Sequence, residues 1–442
     1  MRSVLLRAVL LFAASALLTA LALPAAAQTS GRLRDIAVSD SIGTLANEAY
    51  RSARYADAGP LYEASVLGSL AAGTPSLWYN AACSYALAAD TVRAVMALTR
   101  AVETGWDDVA LTLRDTDLTS IHGHPAWDGL VARTRGNDEA RRVHQSDPDR
   151  VRIVTEDIAR FWAAYDAAAQ DTARAARADV FERLYLEPGT DGLLSYLAVK
   201  VGNADVLARR VARMPRYYDA VRPQTLWLAE HAADSVRAGM RRLLALYPEA
   251  AFPDVYLVVG ALTSGGTSLP QGLLLGVEMN ATTEGTPLDE IGGMGRVVGR
   301  AADLPLIAVH ELVHANQNMA GQWTLLRNVL IEGGADFLSE LAMGSTEEPY
   351  YRTWGRAHER EVWTRFMAEK DGDDWSDWTG TAGMDRSDWV GDLGYYVGYE
   401  IARGYYEQAA DKQKAVRDLL RMEDPAAILA ASGYAGRYSQ GE

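Results

Sequence analysis

The stretch Pro305-Leu306-Ile307-Ala308-Val309-His310-Glu311-Leu312-Val313-His314 decides how this chain is read. Pro305 suits the first turn of a helix. Leu306, Ile307, Val309, Leu312 and Val313 give that helix an apolar body that belongs in a core. His310 and His314 are four residues apart, so both imidazoles project from one face and can reach one metal ion. Glu311 lies one position round the helix, where it can reach a water molecule held by that ion. The competing reading is a surface helix that happens to carry two histidines. The apolar flanks oppose it, because buried His and Glu side chains need partners.

One such partner stands downstream, in Ile331-Glu332-Gly333-Gly334-Ala335-Asp336-Phe337. A catalytic zinc takes three protein ligands and keeps one position open. Glu332 is the candidate third ligand after His310 and His314. Gly333 and Gly334 weaken a helix, so they are read as clearance beside the ion. Asp336, one turn beyond Glu332, is placed to accept the free ring N–H of a ligand histidine. The metzincin alternative, a histidine six residues after the motif, is closed. Position 320 is Ala320, and Gln317 stands where that pattern has glycine.

The motif with a downstream Glu-x-x-x-Asp resembles the gluzincins, the thermolysin-type branch of zinc peptidases. With Gly394-Tyr395-Tyr396-Val397-Gly398-Tyr399 and an expected strand pair, the chain also resembles a bacterial family of exported zinc-dependent proteases of unknown function. The resemblance covers roughly Val151 to the C-terminus. It implies a zincin-like catalytic domain with His310, His314 and Glu332 on Zn²⁺, Glu311 as general base and Asp336 behind a ligand. It departs from thermolysin at the oxyanion donor, since no corresponding histidine follows. A tyrosine O–H is a suitable substitute. Tyr395 is nominated, with Tyr396 and Tyr399 as rivals. Tyr395 and Tyr399 share a helix face, so one can be catalytic while the other packs. Gly276-Val277-Glu278-Met279-Asn280 is similar to the Gly-x-Met-Glu-Asn segment of zinc aminopeptidases, but Glu and Met are exchanged. On a strand that exchange moves the carboxylate to the other face.

Two readings compete with a peptidase acting on a peptide or protein substrate. One is an exported binding protein on an inactive peptidase fold. The other is a zinc hydrolase of a non-peptide amide, such as a cell-wall bond. All four site residues stand, which opposes the first. Nothing in the motif separates the second.

The chain has 442 residues, ample for more than one core, and a formal net charge of −15. The first segment, residues 1–27, is read as a secretory signal peptide. Arg2 and Arg7 precede an apolar run from Ala8 to Leu23, and Pro24 and Ala25-Ala26-Ala27 follow. Cleavage near Ala27 implies an exported product, periplasmic or secreted. The acidic balance opposes nucleic-acid partners and anionic membranes, and no later stretch is apolar enough for stable membrane insertion. Cys83 is the only cysteine, so neither an intrachain disulfide nor a Cys-based zinc site is expected.

The expected fold class is mostly α with a small β-sheet. Residues 28–135 are read as helical hairpins resembling tetratricopeptide repeats, on the spacing of Trp78, Ala82, Tyr85, Ala94, Leu98 and Ala101. A weaker copy runs through Tyr50, Tyr55, Ala58 and Tyr62. A protein partner for these helices is a further expectation. The polar, turn-rich segment 136–150 is read as a linker, and residues 151–442 as the protease-like domain. Within it, Val255–Leu262 and Gly272–Met279 are expected to pair as a hairpin around a turn at Thr263–Pro270. Gly272–Met279 is the expected edge for a bound peptide. Asp371–Asp392, rich in Asp and Trp, is read as a solvated loop over the site. The remaining histidines, His122, His124, His144, His231 and His358, are read as bland.

Overall fold

The computed structural model describes residues 31–171, 173–344 and 348–434, so the expected export segment, residues 1–27, lies outside the described residues. Helices α1 (Gly31–Arg51), α2 (Tyr55–Ser65), α3 (Thr74–Leu87) and α4 (Thr91–Glu103) pack as successive hairpins. Ala82, Ala94, Leu98 and Ala101 are fully buried, and their small size lets the α3 and α4 backbones approach. Trp78, expected to fill a gap, is only half-buried. Its neighbour Tyr79 fills the gap instead, stacked on Trp106 with ring centroids 4.0 Å apart.

The segment 136–150 is mostly not a linker. Gly136, Asn137 and Asp138 lie inside helix α5 (Trp127–Gln145). The Asn137 amide donates to the carbonyls of Val102 and Trp106 at 2.8 and 3.0 Å, tying α5 to the end of α4. Polar residues that read as a loop are here a helix face with carbonyl partners. The buried side chains fall into two clusters. One buried cluster runs from Ala46 to Val131, and the other starts at Val151. Helix α1 crosses the divide. The N–H groups of Arg32 and Leu33 donate to the Glu187 carboxylate at 2.7 and 3.1 Å, and the Arg32 side chain pairs with Asp191.

The second unit is mostly helical around a four-stranded sheet. Helix α6 (Glu156–Ala168) buries Ile158, Phe161 and Trp162, as its spacing predicts. Helices α7 (Ala204–Val211) and α8 (Pro215–Leu246) follow. Strands β1 (Ile153–Val154), β2 (Val255–Val258), β3 (Gly266–Leu269) and β4 (Gly272–Gly276) lie in the order β1-β2-β4-β3. The expected hairpin is corrected here. β2 and β4 run parallel, and the antiparallel partner of β4 is β3, drawn from the stretch read as a turn. Thr267 and Ser268 suit an edge strand with one partly solvated side, and the turn itself is Pro270-Gln271. β4 is therefore interior and buried along its whole length, and β3 is the edge. Among the described residues, no helix is long and apolar enough to cross a membrane.

Three further helices shape the cleft: α9 (Leu304–Asn316), α10 (Leu325–Met343) and α11 (Leu393–Gln408). Gly333 on α10 and Gly398 on α11 meet where these two helices cross. A Cβ on Gly333 would lie 2.2 Å from the Tyr399 nitrogen and 2.4 Å from the Tyr395 oxygen, and one on Gly398 would lie 1.7 Å from the Val329 oxygen. Gly333 therefore clears space for a helix, not for an ion, which corrects the expectation from the sequence. Backbone contact at this crossing brings the start of α11 over Glu332.

Gly333→Ala should cost about 3 kcal/mol or more, because backbone cannot step aside as a side chain does. Gly334→Ala, whose Cβ would find its nearest neighbour at 4.0 Å, should cost nothing or gain about 0.5–1 kcal/mol of helix propensity. Urea denaturation of the two variants tests this. Equal midpoints would remove the close crossing.

Candidate metal centre

Helix α9 presents His310, Glu311 and His314 to one cleft, and α10 brings Glu332 and Asp336 to the same place. The Nε2 atoms of His310 and His314 are 3.1 Å apart, and His314 Nε2 lies 3.4 Å from Glu332 Oε2. Ligands about 2.0–2.1 Å from a tetrahedral zinc sit roughly 3.3–3.4 Å from one another. The donor set is the right chemistry at the right spacing for that ion.

The outer nitrogens of both rings are engaged. Asp336 Oδ1 lies 3.0 Å from His310 Nδ1. A carboxylate only accepts, so His310 donates there. Asp336 in turn accepts from the Tyr351 hydroxyl at 2.6 Å. On the other ring, His314 Nδ1 is 2.7 Å from Gln317 Oε1. Gln317 Nε2 donates to the Ile331 carbonyl at 2.8 Å, which fixes the amide with its oxygen toward the ring. His314 must therefore donate as well. Both rings thus turn Nε2 lone pairs inward, toward each other and toward Glu332, an arrangement that calls for a positive charge between them.

The charge states agree with that geometry. Burial works against a charged His314, but the Glu332 carboxylate outweighs it, helped by Glu311 and Gln317, and the imidazole is pushed up to about 9. Burial likewise opposes ionisation of Glu332, but His314, His310 and the Tyr395 hydroxyl hold its carboxyl down at about 2. Without a metal, a proton takes the cation's place.

Glu311 lines the cleft beside the edge strand. A side chain at Gly266 on β3 would collide with it, at 2.6 Å from its Cγ, so the glycine makes room for the carboxylate. Tyr395, at the start of α11, lines the cleft with Glu332, and its ring lies 6.4 Å from that of His310. Burial and the nearby Glu332, Asp392 and Asp336 carboxylates push its phenol well above the ordinary range, so it stays a donor. The rivals lie elsewhere. Tyr396 is buried with its ring against Gly355. Tyr399 donates to Glu340 at 2.9 Å under the Arg352 guanidinium.

The Asp371–Asp392 loop does reach the site, since Gly380, Ala382 and Asp392 line the cleft. It is not freely solvated, because Trp378 and Trp389 are buried in the core and anchor it. Gln317 and Tyr351 were not singled out from sequence as supports. Gln317, one helical turn after His314, carried a readable spacing signal; Tyr351 carried none. Cys83, Asp115 and Asp117 also converge, in the N-terminal core. There the carboxylates accept from the Tyr79 and Tyr50 hydroxyls, and burial pushes the thiol up, so that group is a closed hydrogen-bond cluster. No family model, characterised protein or solved structure matches this chain.

Glu278 lies behind the cleft wall, fully buried on the turn Val277–Asn280. It offers no carboxylate to a substrate amine. Its Oε1 accepts from the Leu262 N–H at 3.2 Å, and its Oε2 has no partner among the described residues. Burial pushes this carboxyl up to about 7, against the pull of the backbone N–H groups around it. The folded chain therefore binds this proton more tightly than the unfolded chain. Stability should fall as pH rises from the usual carboxyl range through about 7, then level off. Glu278→Gln cannot ionise. It should shrink the loss of unfolding free energy between about pH 5 and 8 by about 2–3 kcal/mol. Parallel pH–stability curves for the two proteins would overturn this.

Proposed function

We propose that this protein is a zinc-dependent metallopeptidase, exported from the cell and acting on peptide or protein substrates. The observation that carries the reading is the convergence of two inward imidazole nitrogens on Glu332 with Glu311 beside them in an open cleft. His310, His314 and Glu332 would hold the ion. When bound, zinc supplies Lewis acidity, which acidifies water and polarises a carbonyl. Glu311 takes the proton of the attacking water and returns it to the leaving amine. Tyr395 donates its O–H to the developing oxyanion. Asp336 and Gln317 hold the two imidazoles in the tautomer a ligand requires. A peptide can lie along the β3 edge as an added strand, which brings its backbone past Glu311. The earlier expectation put that edge on Gly272–Met279, whose strand is interior.

Metal analysis of the purified chain should find about one zinc per molecule; none would sink the reading. Asp336→Asn should weaken zinc about 10- to 100-fold in a chelator competition, and an unchanged affinity would remove Asp336 from its supporting role.

Digestion of a proteome-derived peptide library tests the activity itself. Glu311→Gln should keep the zinc and lose turnover, while Tyr395→Phe should lower kcat about 100-fold or more with little change in KM. A library left intact by the zinc-loaded parent, or cleaved equally by Glu311→Gln, would overturn the assignment.

A further inference from the structure

The cleft that holds the candidate metal centre is large, about 1020 Å³, and its charge is unevenly spread. Glu311, Glu332, Asp336 and Asp392 cluster at the metal end. Away from the two histidines, the only basic side chains lining it among the described residues are Lys200 and Arg210. Lys200 lies within the helical turn Leu197–Val201, and Arg210 is on α7. Neither makes an ion pair among the described residues. Arg210 donates one N–H to the Ala261 carbonyl at 3.4 Å, which holds it against the loop leading into β3. A guanidinium has five donors, so this one bond leaves most of them available to a ligand in the cleft.

A bland origin accounts for only part of this. Cations favour helix C-termini, which suits Arg209 and Arg210 as residue types. Arg209 then pairs with Asp205 at 3.5 Å. Arg210, itself exposed, and Lys200, partly buried, line the cleft from two different elements. The chain as a whole carries a net charge of −15, so its long-range field repels anions. Two cations without carboxylate partners, in the cleft that holds the candidate metal centre, offer an anion a local attraction against that field.

We propose that Lys200 and Arg210 form a subsite for a carboxylate of the substrate, so that the cleft selects peptides bearing an anionic group at a set distance from the scissile bond. This rests on the peptidase reading and names the substrate class for the same site. The carboxylate is either the peptide's C-terminus or an acidic side chain, and the chemistry of recognition is the same.

Calorimetric binding to the full Glu311→Gln chain, which cannot turn peptide over, separates the two sources. The probes are acetylated Ala/Ser hexapeptides. One set compares a free C-terminus with its amide; the other scans Glu against Gln through the positions. One carboxylate position should bind about five- to tenfold more tightly than its neutral counterpart. Adding Lys200→Gln and Arg210→Gln should abolish that advantage and leave the neutral peptides unaffected. Lys200→Glu, a single change on a partly exposed side chain, should turn the preference toward Lys-bearing peptides even if the double substitution fails to fold. Equal binding of charged and neutral peptides, an advantage that survives the substitutions, or no peptide binding would each overturn the proposal. Charge-selective binding without cleavage by the parent chain would sink the peptidase reading and leave this subsite standing. Cleavage indifferent to peptide charge would do the reverse.

Discussion

Two imidazole nitrogens held 3.1 Å apart with their lone pairs facing each other set the terms for this site. The constraint is imposed from outside the pair. Ile331 fixes Gln317, Gln317 fixes His314, and Asp336 fixes His310. Each outer nitrogen is a donor, so each inner one is an acceptor. Only a positive charge relieves such a contact. A proton does so partly, and its cost is visible in the displaced titration of His314 and Glu332. A divalent cation would satisfy both nitrogens and the Glu332 oxygen at once. The proposed chemistry follows from a polar network that is complete except for that charge.

The network needs helices held at a fixed depth, and the fold supplies this with backbone contact. α10 and α11 cross at Gly333 and Gly398 with no side chain between them. That crossing carries Glu332 and Tyr395 on opposing helices, so their approach in the cleft depends on glycine at both positions. On the other side, Gly266 lets the β3 edge approach Glu311. The glycines do not line the ion. They set how closely the walls around it can come.

The residues of the candidate metal centre were legible in the sequence because they obey helical spacing. His310 with His314, and Glu332 with Asp336, are each one turn apart, and that period survives folding. Gln317 obeyed the same rule and carried the same information. Sheet order was not legible. Val255–Val258 and Gly272–Gly276 both read as strands, but pairing is a long-range property, and the short polar run Gly266–Leu269 has weak strand character of its own. Tyr351 supports Asp336 across segments whose approach no local pattern encodes. The Asn137 helix face misled for a related reason: turn-type residues are also good partners for the carbonyls at the end of a neighbouring helix.

The polarity of the cleft bears on how a substrate would be aligned. Four carboxylates gather around the candidate metal centre, and Lys200 and Arg210 line the same cleft. A bound cation would offset the charge of Glu332, but Asp392 is a buried acid beside Tyr350 and Thr381. Burial raises the Asp392 carboxyl, which already marks this corner as hostile to more negative charge. An anionic group of a bound peptide would be repelled at that corner. At Lys200 and Arg210 it would be attracted. Repulsion in one place and attraction in the other favour the same placement of the substrate, so that placement would be selected even where each single contact is weak.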